Sequence, residues 1–139
     1  MTQKEKNLLI RDLCARLPYW VKLGFYASAT KQTYICTLLG LEPLEDEPVI
    51  AKIEIGSFYI LVDNVKPYLF PLSSMTERQC YELTSICSGF QDCWKYIKTP
   101  IPLSICNFEQ IEWFHKNYFD YRGLIEKGLA IDATELNIY

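Results

Sequence analysis

The chain has 139 residues, half of them hydrophobic and 14% aromatic, which supports a buried core and excludes a disordered chain. Its net charge of −3 and pI near 5.2 argue against a nucleic-acid binder that works through bulk charge. No stretch approaches the ~18 uninterrupted apolar residues of a membrane span.

The charge is unevenly spread. Residues 1–40 hold Lys4, Lys6, Arg11, Arg16, Lys22 and Lys31 against Glu5 and Asp12. Residues 41–60 hold Glu42, Glu45, Asp46, Glu47 and Glu54 against Lys52 alone. Patches of opposite sign can steer a partner or pair two copies. A solvated helix face and an acidic loop is the plainer expectation. The opening Met1-Thr-Gln-Lys-Glu-Lys lacks the apolar region of a signal peptide, so the expected setting is a reducing cytoplasm. There Cys14, Cys36, Cys80, Cys87, Cys93 and Cys106 read as buried thiols.

In chain order, Thr2 and Glu5 have capping-box spacing, and Leu9, Ile10, Leu13, Cys14 and Leu17 form a helical stripe. The expectation is a helix over 3–17, stopped at Pro18. A strand region over 20–66 follows, with Val21, Leu23 and Phe25 alternating with Lys22, Gly24 and Tyr26. Further strands are expected at 33–39, 51–55 and 58–62, with Gly56-Ser57 as a two-residue hairpin turn. Leu41 to Pro48 is proline-bounded and acidic, and reads as an exposed loop. Four such strands suggest an antiparallel meander, and curling into a small SH3-like barrel would remove its free edges.

Val65 to Glu77 closes the strands, crosses Pro67 and Pro71, and opens a helix with Ser74/Glu77 and Thr76/Gln79 at capping-box spacing. Neither proline is expected inside a regular element. Thr76 to Cys87 places Cys80, Leu83 and Cys87 on one helical face, whereas residues 90–106 give no clear pattern. Asn107 and Gln110 cap a final helix carrying Phe108, Ile111, Phe114 and Tyr118. The expected fold is thus a single α+β domain over 1–139: an N-terminal helix, the meander, and a helical C-terminal half over 74–128.

The chemistry is sparse. His115, the only histidine, follows Glu112 by three, which is one quarter of a carboxylate-bridged di-metal motif and reads as an ordinary helix histidine. No Cys-x-x-Cys pair supports zinc, and no phosphate-binding glycine loop or serine nucleophile motif is present. Asp120 and Glu126 near Arg122 read as caps and surface ion pairs. No cofactor, metal or catalytic residue is expected. The candidate partner-binding residues are Tyr19, Trp20, Lys22, Tyr26 and Lys31, where aromatics interleave with lysines. Trp94, Tyr96, Trp113, Phe114, Tyr118, Phe119 and Tyr121 read as core or interface rings.

Three phrases, Met1 to Tyr19, Val65 to Glu77 and Phe119 to Ala130, carry a resemblance. Together they resemble a family of small proteins, with no assigned activity, from Bacteroides-type gut bacteria and their phages and mobile elements. The family pattern has an arginine where this chain has Phe70, and it differs before Gly128. The resemblance implies a bacterial or phage accessory setting and transfers no functional residue.

Within the last of these phrases, Asp120 can cap a turn, Gly123 and Gly128 permit positive φ, and Leu124, Ile125 and Leu129 can dock that turn. The expected function is a non-enzymatic interaction module that binds a protein partner or a second copy of itself. The alternative is a nucleic-acid-associated protein using the first forty residues, and a third reading is an enzyme using Cys87 or Cys93 with His115.

Overall fold

The computed structural model describes residues 1–44, 47–53, 59–86 and 106–139. Helix α1 spans Gln3–Arg16, and its Thr2/Glu5 capping box is formed in both directions. It runs into a single 3₁₀ turn, Leu17–Tyr19, with Pro18 in its first positions. Leu9 and Leu13 are fully buried, while Cys14 is exposed.

Strands β1 (Lys22–Ala27), β2 (Gln32–Leu44), β3 (Glu47–Ile53) and β4 (Tyr59–Leu61) form the expected antiparallel meander. Strand β5 (Val65–Pro71) returns beside β1, and β6 (Phe119–Asp120) and β7 (Ile131–Asp132) pair with β5 in parallel. Helices α2 (Glu77–Ser85) and α3 (Phe108–Lys116) complete the described elements. The molecule is therefore mixed α+β, with the strand order β4-β3-β2-β1-β5-β6.

Five expectations are corrected. Cys14 is exposed on α1 and is not a buried thiol. The sheet stays open and is not a closed barrel, because the far edge of β5 is taken by β6 and β7 instead of β4. Among the described residues, the C-terminal half is only partly helical. After α3, residues 119–132 form turns and two short strands, with Gly123 and Gly128 both at φ 70°. The acidic stretch Leu41 to Pro48 lies mostly in β2 and β3, with Pro43 and Pro48 inside an irregular part of their ladder.

Pro67 and Pro71 both belong to β5. Antiparallel ladders alternate between residues that exchange bonds and residues that do not, so Pro67 opposite Leu23 withholds no required N–H. Of the two expected capping boxes before α2, the structure forms Thr76/Gln79, while the Ser74 hydroxyl donates to the Pro71 carbonyl. The hairpin turn at Gly56-Ser57, Cys87, Cys93, Trp94, Tyr96 and the 90–106 stretch up to residue 105 lie outside the described residues.

Two apolar clusters hold these parts together. One joins α1, the inward face of β1–β3 and β5, and the tail through Leu124, Leu129 and Ala130. The other joins α2, α3 and β6 through Leu83, Trp113, Phe114 and Phe119, with Trp113 and Phe119 stacked at 5.5 Å.

Candidate functional site

The period-2 alternation of β1 settles which residues face outward. Leu23 and Phe25 turn toward the core, so Lys22, Gly24 and Tyr26 point away from it. By register, Thr33, Ile35 and Thr37 on β2, Lys66 on β5, and Lys52 with Tyr59 on β3 and β4 share that outward side. Ile35, Leu39, Tyr59 and Leu61 each keep 41–49% of their surface, and Tyr26 keeps 59%. Five large apolar side chains thus stand on the outward face of β1, β2 and β4, with β3 and its Lys52 between β2 and β4.

One end of this face is a half-open groove of about 430 Å³, lined by Gly24, Tyr26, Thr33, Asp63, Asn64, Lys66 and Ile131. Gly24 is its floor for a steric reason. A Cβ there would lie 2.8 Å from Ile131 Cδ1 and 2.9 Å from the Tyr68 hydroxyl. Asp63 is neutralised by Lys6 at 3.0 Å, whereas Lys66 is exposed with no acid beside it among the described residues. The lining offers an ammonium, an amide, hydroxyls and apolar surface, which suits recognition.

The structure scatters the five sequence candidates. Lys22 and Tyr26 share the outward face of β1, and Lys22 Nζ is tied to the Thr37 hydroxyl. Lys31 sits in the β1–β2 turn at φ 55°. Tyr19 turns away toward Glu112 of α3, and its carbonyl accepts from the Tyr118 hydroxyl at 2.6 Å. Trp20 closes the 3₁₀ turn in the left-handed region at φ 57°, ψ 45°, and keeps 63% of its surface. That conformation is strained for a bulky residue.

A second cluster, which the sequence did not announce, lies between α1, α3 and the tail. Arg16, fully buried, grips Asp12 through Nε at 2.7 Å and Nη2 at 3.1 Å. It also donates to the carbonyls of Phe119 at 2.7 Å and Phe114 at 3.4 Å. Arg122 Nε reaches the same Asp12 at 3.3 Å and the Tyr121 hydroxyl at 2.9 Å, and that hydroxyl meets His115 Nε2 at 2.7 Å.

Burial, followed by the Arg16 guanidinium, pushes His115 down to about 4. Burial also pushes the Tyr121 phenol above its usual value. Asp120 accepts the amides of Leu124 and Ile125 and caps the turn after β6. The signal for Asp12–Arg16 was their i, i+4 spacing beside the apolar stripe, though charge placed both on the solvated face.

The described residues contain no group of three or more side chains able to hold a metal ion, and no described helix is long and apolar enough to cross a membrane. Comparison with known protein families, with characterised proteins and with solved structures returns no match.

Proposed function

We propose that this protein is a non-enzymatic interaction module that binds a protein partner through the outward face of β1, β2 and β4. The observation that carries this reading is the run of exposed Tyr26, Ile35, Leu39, Tyr59 and Leu61 beside the Gly24 groove. Exposed apolar side chains gathered on one sheet face among polar groups are where partners dock. The resemblance stated above supports reading it as an accessory protein of a bacterium or phage, working in the cytoplasm.

The test compares wild type with an Ile35→Lys, Tyr59→Lys double variant as baits in a native-host lysate. Both positions are exposed, so the variant keeps its stability within ~0.5 kcal/mol. A protein retained by wild type and lost by the variant supports the reading. Equal retention contradicts it.

A second reading draws on Lys22, Lys52 and Lys66, which share that face with Tyr26 and Tyr59. Lysines interleaved with stacking rings suit a single nucleic-acid strand. Salt-sensitive retention on single-stranded DNA, lost on Lys52→Ala with Lys66→Ala, would favour it over a protein partner.

A further inference from the structure

The charges of the buried network do not balance. Asp12 brings one negative charge to two guanidinium groups, those of Arg16 and Arg122. His115 adds no charge. Burial holds the ring neutral, and its Nε2 meets the Tyr121 hydroxyl, which accepts from Arg122 Nε. Asp120 accepts the amides of Leu124 and Ile125 and, among the described residues, makes no ion pair with either arginine, so the count is of groups within ion-pair distance. The charged groups that act on His115 are Arg16, Asp12 and Arg122, two cations and one anion. One positive charge is left over.

That charge sits where the network meets solvent. The Arg122 side chain keeps 18% of its surface, while those of Asp12 and Arg16 keep none. Arg122 is also fixed from one side, by Asp12 and Tyr121 at its Nε, with its guanidinium 5.0 Å from the centre of the Tyr121 ring. No acceptor for its Nη1 and Nη2 is found among the described residues. Gln110 Nε2 is the one buried side-chain nitrogen or oxygen there without a partner, so both Nη groups reach water. A fixed arginine with two free, coplanar donors loses little freedom when an anion arrives.

We propose that Arg122 is an oxyanion-binding residue, taking a carboxylate or phosphate group through Nη1 and Nη2, with Asp12 and Tyr121 as its positioning residues. Two oxygens of either group match the spacing of the guanidinium fork. The bound anion supplies the negative charge that the network lacks. Asp12 does not serve both arginines equally: it takes two hydrogen bonds from Arg16, whereas the single N–H at Arg122 Nε goes to the Tyr121 hydroxyl and leaves Asp12 an ion-pair contact at 3.3 Å.

The test titrates full-length protein with inorganic phosphate and, separately, with acetate at pH 7, holding ionic strength constant with chloride. The probes are read by thermal midpoint and by the NMR signal of Arg122 Nε–H. Wild type should shift that signal saturably, and its midpoint should rise by about 5 °C once the anion exceeds a dissociation constant on the order of 1 mM tenfold. Arg122→Gln leaves Asp12 paired with Arg16 and should lose the midpoint rise altogether. Arg122→Lys keeps the charge without the fork, and should keep less than about a third of the rise. The probe giving the larger rise identifies the preferred oxyanion. An equal rise in wild type and Arg122→Gln, or no saturable signal shift by about 50 mM of either anion, overturns the proposal. If Arg122→Gln does not fold, an undiminished rise in Arg122→Lys overturns it.

Discussion

The amide of Lys22 donates to the hydroxyl of Tyr139 at 3.0 Å, and that hydroxyl donates in turn to the Tyr68 carbonyl at 2.8 Å. The β1–β5 ladder runs through Phe25, Gly24 and Leu23, and the phenol stands where the next pair of strand residues would meet. Its ring lies flat on Tyr118, with centroids 3.7 Å apart and planes 10° from parallel. Although Tyr139 keeps 41% of its surface, burial around the hydroxyl pushes the phenol well above its usual pKa.

Tyr139→Phe keeps the stack and removes both bonds. It should cost about 1–2 kcal/mol, seen as a lower urea midpoint at unchanged slope. Hydrogen exchange at the Lys22 amide should quicken.

Arg16 is the costlier deletion. Arg16→Met fills similar volume but leaves buried Asp12 with Arg122 alone and strips the Phe114 and Phe119 carbonyls of their donor. The expected loss is about 3–5 kcal/mol. By contrast, Asp63→Ala breaks the part-exposed Lys6 pair and should cost less than about 1 kcal/mol. Urea unfolding of the two variants side by side checks the ranking.

Acid sensitivity follows from His115. Its folded pKa, about 4, lies below the ordinary 6.5, so between those values the unfolded chain binds the extra proton. Stability from this group is therefore full above about pH 6.5 and falls as pH drops toward 4. His115→Gln keeps an acceptor for the Tyr121 hydroxyl and cannot be protonated. Thermal midpoints measured from pH 7 to 4 should fall less steeply for that variant than for wild type.

Much of this was legible in advance, wherever one residue's needs decide its neighbours. Thr2/Glu5, Thr76/Gln79 and Asn107/Gln110 each form a reciprocal cap because capping is a local bond three residues long. Gly123 and Gly128 adopt the positive φ that their turn requires. The errors came from contacts between distant segments. Pro67 and Pro71 read as breakers, yet β1 offers a facing strand that asks nothing of the first. Asp12 and Arg16 read as surface because their burial depends on the Phe119 carbonyl, 103 residues from Arg16. Trp20 and Tyr26, named among the candidate partner-binding residues, are both exposed. Tyr19 turns away because the Tyr118 hydroxyl fixes its carbonyl.

Gly24 links the fold to the proposed docking face. Gly24→Ala would press on Ile131 and Tyr68, whose side-chain ends can shift, so the expected cost is about 1–2 kcal/mol. The same methyl fills the groove floor. Partner affinity should fall by more than the stability change alone explains, which a binding isotherm below the melting range would register.

The most direct measurement places a photo-crosslinking residue at Ile35, and at exposed Glu77 on α2 as the control, and irradiates each in native-host lysate. The account predicts one discrete protein adduct at position 35, absent at position 77 and abolished by Tyr59→Lys. The same adducts at both positions, no protein adduct at either, or an adduct at 35 that nuclease removes would contradict it.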